Sequence, residues 1–253
     1  MEIMMKKRVA IVTGASSGIG AATARRLFQS CDGLVLQARK SAEALEAIAE
    51  EGRAAGVEVL TLMGDLTEAS FGKRLVEQTY EMFGRLDCVV ANAGFPIIKS
   101  FEKGTHDDLE YAFKGNAISF FGLAKAAAPL LARSGSGRIV AVGSFTSHVF
   151  RTDIRNYPLS AASKGALEVT VKSLALEFAK HGVTVNCVIP GCIQKDHMED
   201  SVSDEELLEQ TKRIPLGRAG LPADVASAIN YLLTDEAGYI TGQSIHVNGG
   251  LFI

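Results

Sequence analysis

With 253 residues, 47% of them hydrophobic and 22% charged, the chain has an ordinary soluble composition and enough length to bury a large core. A formal net charge of −3 and the lack of a long basic run exclude the electrostatic footprint of a nucleic-acid-binding protein. The nearest approach to a membrane-length apolar stretch, Phe120 to Leu131, is broken by Lys125 and Pro129, so no membrane partner is expected.

The opening M-E-I-M-M-K-K-R runs straight into an apolar segment, Val9–Val12, so no signal peptide is expected. That segment is the first expected strand. The run T-G-A-S-S-G-I-G, Thr13 to Gly20, follows it and opens a helix over Ile19–Gln29. Strands are then expected at Gly33–Gln37, Glu58–Met63, Cys88–Ala91, Arg138–Val142, Thr184–Ile189 and Ser244–Val247. Helices are expected between them at Ala42–Ala55, Ala69–Phe83, Ala117–Ala132, Ser160–His181 and Pro222–Leu233. Alternation of apolar strands with longer helical patterns predicts an α/β chain built on a seven-stranded parallel, doubly wound sheet with helices on both faces. No Pro/Gly/Ser-rich linker divides the chain and no repeat is visible, so residues 1–253 read as a single domain. The polar, acidic segment from Lys195 to Arg213 reads equally as a solvated helix or as a lid over a pocket.

Four cysteines, Cys31, Cys88, Cys187 and Cys192, form no CxxC pair and fall among apolar residues. Reduced core thiols in a cytoplasmic protein are the expectation, and no metal site is expected.

The strand–glycine turn–helix order is what a dinucleotide pyrophosphate requires. Gly14 permits a sharp turn and Gly18 lets the backbone approach the phosphates. Gly20 lets the helix pack on its strand, while the helix N-terminus offers N–H groups to the anion.

Together the motifs resemble the short-chain dehydrogenase/reductase family along essentially the whole chain, and its 3-oxoacyl reductase-like members in particular. That resemblance implies a single-domain Rossmann fold that binds a nicotinamide cofactor. It carries cofactor contacts onto Gly14, Ser16, Ser17, Gly18, Ile19 and Gly20, and onto Asp65 and Leu66 in the G-D-L run. It carries them also onto Asn92, Ala93 and Gly94, and onto Pro190, Gly191 and Ile193 beneath the nicotinamide. Asn116, Ser144 and Lys164 match the family's catalytic asparagine, serine and lysine, with Lys164 also holding the nicotinamide ribose.

Cofactor preference follows from charge. Ala38 stands where NAD-selective relatives carry an acid, and Arg39 and Lys40 follow it. A missing carboxylate and two cations suit a 2′-phosphate, so NADP(H) is expected over NAD(H).

One departure matters. The family's tyrosine should stand four residues before the lysine, yet position 160 is Ser160. Tyr157 lies thirteen residues after Ser144 (157 − 144), the common serine-to-tyrosine spacing of the family. Pro158 suits the first turn of a helix, which puts Tyr157 at its entrance, two turns or about 10 Å along the axis from Lys164. Tyr157 as proton donor, Ser160 with ordered water, and a nucleotide-binding protein with little redox turnover therefore all stay open. His148 and His197 are weaker acid–base candidates, and Lys195 or Asp196 replaces the threonine that bonds the carboxamide in relatives. The apolar residues Ala161, Leu167, Val171, Leu174 and Phe178 of the Ser160–His181 helix, with the resemblance, predict a homo-oligomer, a dimer or homotetramer. The expected substrate is a small-molecule carbonyl or alcohol.

Overall fold

The computed structural model describes residues 8–150, 152, 156–194 and 211–252. Its seven strands are β1 (Val9–Thr13), β2 (Gly33–Ala38), β3 (Glu58–Met63), β4 (Cys88–Ala91), β5 (Arg138–Val142), β6 (Thr184–Pro190) and β7 (Ser244–Val247). All pair in parallel in the order β3-β2-β1-β4-β5-β6-β7, so the expected doubly wound sheet is present. Central strands β1, β2, β4, β5 and β6 are buried along their whole lengths, which is why they read as unbroken apolar runs rather than alternating ones.

The helices are α1 (Gly18–Leu27), α2 (Ala42–Ala54), α3 (Phe71–Phe83), α4 (His106–Phe113), α5 (Ser119–Ser134), α6 (Pro158–Ala179) and α7 (Pro222–Leu233). On one face of the sheet a core forms around Ala24, Leu27, Leu45, Ile48, Val225 and Ile229, from α1, α2 and α7. A second core on the other face gathers Leu75, Leu123, Leu131, Leu167 and Val171 from α3, α5 and α6. The six helices expected from sequence are all present with ends shifted by a few residues. α4 was not expected: its signal is the capping box Thr105-x-x-Asp108, in which Asp108 N–H donates to Thr105 Oγ1 at 3.2 Å and Thr105 N–H to the Asp108 carboxylate at 3.0 Å. A π-helical turn, Lys114–Ile118, joins α4 to α5.

Residues 106–134 form a helical run long and apolar enough to cross a bilayer by length and composition, but Phe120, Leu123, Ala124, Ala127 and Leu131 are buried in the second core. Of the α6 residues expected to form an intersubunit face, Ala161, Leu167 and Val171 are buried, and Leu174 and Phe178 pack on that same core within the chain. Val169 and Leu176 are the large apolar residues that this helix exposes. The segment expected as helix or lid falls almost wholly outside the described residues, as do Lys195, Asp196 and His197.

Strand order reverses between β1 and β4, and their C-terminal ends are tied together there. Thr13, only 1% exposed, accepts at Oγ1 from the N–H groups of Asn92 and Ala93, both at 3.0 Å, and donates to Val90 O at 3.3 Å. Asn92 Nδ2 donates back to Thr13 O at 3.0 Å and Gly14 O at 3.1 Å. Thr13→Val keeps the shape but leaves two part-buried N–H groups without their acceptor. It is expected to cost about 2–3 kcal/mol, read as a lowered urea midpoint.

Candidate active site

A cavity of about 700 Å³ opens at this switch point, beyond the C-terminal ends of the strands, where ligands bind in open α/β sheets. Its wall includes Gly14, Ser16, Ser17, Gly18 and Ile19 from the glycine turn, and Arg39 and Lys40 from the end of β2. Asp65, Leu66, Asn92, Ala93 and Gly94 line it further along, with Pro190, Gly191 and Ile193 at the end of β6. Ser144, Tyr157 and Lys164 line it too, so of the residues carried over from the family's cofactor and catalytic motifs the structure brings all but Gly20 and Asn116 to one surface.

The two exceptions sit behind the wall. Gly20 serves packing: a Cβ there would lie 2.1 Å from Gly14 O, so only glycine lets α1 close on the turn. Gly14 itself has φ +63°, and a Cβ on it would meet Ala93 Cα at 3.0 Å. Gln37 was missed from sequence because it reads as one polar residue in an apolar strand. Its Oε1 accepts from Gly14 N–H at 3.1 Å and its Nε2 donates to Gly64 O at 2.7 Å, so it fastens the turn to the end of β3.

Asn116, the second exception, is held in the π-helical turn, a feature frequent at functional sites. Its Nδ2 donates to Ser163 Oγ at 2.9 Å. Its buried Oδ1 has no hydrogen-bond partner among the described residues. A Cβ on Gly94 would stand 2.7 Å from that oxygen and 2.9 Å from Lys164 Nζ, so the amide and the ammonium converge beneath Gly94.

Lys164 is buried and donates to Val142 O at 2.7 Å. Burial drives its ammonium down to about 8, against the smaller pull of Cys187 and Glu168. Ser144 caps a short 3-10 turn and accepts at Oγ from Thr146 N–H (3.3 Å) and Thr146 Oγ1 (2.9 Å). Its own O–H donates to no other group among the described residues.

Pro158 is the first helical residue of α6 and Tyr157 its N-cap, as expected for a tyrosine at the helix entrance. Ser160 also lines the cavity but is only 3% exposed and committed to the backbone. It accepts from Ile97 N–H at 2.7 Å, and its hydroxyl approaches Ile97 O at 3.4 Å.

His148 lies off the cavity, with Nε2 bonded to both oxygens of the buried Glu168 at 3.0 and 2.8 Å. Glu168 also accepts from Ser147 Oγ at 2.7 Å and Ser244 Oγ at 3.2 Å, which fastens the segment after Ser144 to α6 and β7. Nothing in the sequence reading pointed to it. Cys31, Cys88 and Cys187 are buried as expected, whereas Cys192 is partly exposed on the cavity wall.

A family model described as enoyl-(acyl carrier protein) reductase matches residues 14–252. The 3-oxoacyl-[acyl-carrier-protein] reductase FabG of Staphylococcus aureus is 35% identical over 250 residues, 99% of this chain and 100% of that protein. The chain belongs to the short-chain dehydrogenase/reductase family. It is an oxidoreductase of that family. Among solved structures, a doubly substituted Serratia marcescens short-chain dehydrogenase/reductase superposes with a TM-score of 0.90 at 32% identity over 98% of each chain. A Burkholderia cenocepacia short chain dehydrogenase in complex with NADP does so with a TM-score of 0.88 at 32% identity over 97% of each.

Lys164 links the site to stability. Its folded pKa of about 8 is below the unfolded value near 10.4, so across that interval the unfolded chain holds a proton the folded chain has released. Its contribution to stability therefore rises with pH through this window. Lys164→Met is expected to remove a rise on the order of 2 kcal/mol, measured as the difference between urea unfolding at the two ends of the window.

Proposed function

We propose that this protein is an NADP(H)-dependent carbonyl reductase or alcohol dehydrogenase, acting on a small-molecule carbonyl or secondary alcohol. The observation that carries the reading is that the glycine turn, Arg39, Ser144, Tyr157 and Lys164 line one cavity.

The cavity suits the cofactor. Ser17, the N-cap of α1, makes no capping bond with its side chain and the first turn carries no acid, a combination that favours an anion at the helix N-terminus. A Cβ on Gly18 would meet nothing within 4 Å, so that turn borders open space. Ser16 to Ile19 would hold the pyrophosphate, and Arg39 and Lys40 the 2′-phosphate. Asp65 and Leu66 would hold the adenine, and Asn92 to Gly94 would line the cofactor beside it. Pro190, Gly191 and Ile193 would lie at the nicotinamide. The NADP bound by the Burkholderia cenocepacia neighbour supports the same choice here. Bound nicotinamide supplies hydride chemistry at the carbonyl carbon.

The chain's own groups handle the oxygen and its proton. Ser144, with its hydroxyl oxygen already accepting twice, donates its O–H to the substrate oxygen. Tyr157 passes the proton to or from that oxygen. A phenol with an ordinary pKa near 10 needs a neighbouring cation to ionise at working pH, which is the task of Lys164. Lys164 also anchors the nicotinamide ribose. Asn116 Oδ1, without a hydrogen-bond partner among the described residues, would hold a water that relays the proton outward. Ser160 stands where the family resemblance implies a tyrosine. Its bonds to Ile97 favour Tyr157 over Ser160 with water as donor. Exposed Val169 and Leu176 on α6 are consistent with a homo-oligomer, a dimer or tetramer, and the expected compartment is the cytoplasm.

Tyr157→Phe, assayed for NADPH consumption against ketones, sugars, steroids and acyl thioesters, is expected to lower kcat/KM at least about a hundredfold with NADPH binding unchanged. Full turnover in this variant would move the proton step to Ser160 and water. NADPH binding in the wild type with no carbonyl consuming it would instead make this a nucleotide-binding protein.

A further inference from the structure

Arg39 is not a loose surface cation. Its Nη1 donates to the Tyr111 hydroxyl at 2.6 Å and approaches Asp65 Oδ2 at 3.5 Å. The guanidinium lies over the Phe95 ring, with Cζ 5.5 Å from the centroid. Tyr111 stacks on the same ring, centroids 4.6 Å apart and planes inclined by 29°. One cluster thus bridges the end of β2, the segment after β4, and α4. Of these groups only Asp65 and Arg39 carry charge.

Two features of the cluster bear on a phosphate. Both contacts use Nη1, so among the described residues Nε and Nη2 donate to no protein group, and that edge of the fork is the one suited to bidentate phosphate pairing. The closer acceptor, moreover, is the uncharged phenol rather than the carboxylate. A guanidinium drawn fully onto Asp65 would be neutralised and would meet an arriving phosphate beside a like charge. Held by Tyr111 and stacked on Phe95, it keeps its charge available, and its flexible stem is ordered before any ligand arrives.

We propose that Tyr111 is a specificity-determining positioning residue. Its hydroxyl, with the Phe95 ring, holds Arg39 so that the Nε–Nη2 edge faces an adenosine 2′-phosphate, and Tyr111 together with Arg39 sets the preference for NADP(H) over NAD(H). This rests on the NADP(H) reading above.

The test needs no substrate and no turnover. Adenosine 2′,5′-bisphosphate and adenosine 5′-monophosphate are titrated calorimetrically into the wild type, Tyr111→Phe, Arg39→Ala and the double variant. Tyr111→Phe keeps the ring on Phe95 and loses only the hydroxyl. It is expected to weaken the bisphosphate about three- to tenfold, leave the monophosphate within about twofold, and add no further loss in the Arg39→Ala background. Equal weakening of both ligands, no weakening of either, or an undiminished loss in the Arg39→Ala background overturns the role of Tyr111. A wild type that binds the two ligands equally, unchanged by Arg39→Ala, overturns the NADP(H) reading and this proposal with it. Preference lost in Arg39→Ala but intact in Tyr111→Phe overturns this proposal alone.

Discussion

The hydroxyl of Thr13 is the constraint on which the rest of the site depends. At the switch in strand order two helices leave the sheet on opposite faces and a crevice opens between the strand ends. Backbone N–H groups entering that crevice lose their ladder partners, and an unpaired buried donor is costly. Two side chains resolve the problem between these strand ends, since Thr13 takes the Asn92 and Ala93 N–H groups while the Asn92 amide donates back to the Thr13 and Gly14 carbonyls. Gln37 adds the tie to Gly64. The glycine turn is therefore held in shape by three neighbouring strand ends before any ligand is present.

A second constraint is the burial of Lys164 and Asn116. Lys164 is placed at a depth where its charge is disfavoured, and among the described residues it has one carbonyl for a partner while the amide oxygen beside it has none. Such groups are tolerated only where the surrounding packing over-determines them. Here the π-helical turn presents Asn116 and the long helix α6 presents Lys164, while Gly94 leaves the room in which they meet. Lys164 lines the cavity and Asn116 lies just behind its wall, so the groups that are costly to bury border the cavity.

Ser160 stands at the position where the family resemblance implies a tyrosine. Ser160 acts as a fastener, joining α6 to the segment that follows β4 through Ile97. A residue spent in that way is a poor acid. Tyr157, one residue outside the helix, lines the same cavity as Ser144 and Lys164. The same economy appears at Arg39, whose Nη1 is engaged by Tyr111 and Asp65 while, among the described residues, the opposite edge of the fork donates to no protein group.

Much of this was legible in the residue order. Buried parallel strands demand unbroken apolar runs, and a phosphate turn demands glycines between a strand and a helix, so the seven strands, their helices and the glycine turn could be read directly. α4 escaped because its eight residues are short and acidic, although its capping box was written at Thr105 and Asp108. Lys164 and Asn116 were named from motif alone. That one would be driven down by burial and the other left without a partner was a matter of packing depth, which no local pattern encodes. The role of Ser160 likewise turned on Ile97, sixty-three positions away. Tyr111 and Phe95 carried no signal, because their contact with Arg39 joins segments brought together only by the sheet. Periodicity and glycine placement act over a few residues, so the sequence by itself determined the elements and the phosphate turn. Burial and hydrogen-bond partners depend on residues distant along the chain, so only the tertiary structure decided which polar groups are committed and which remain for a ligand.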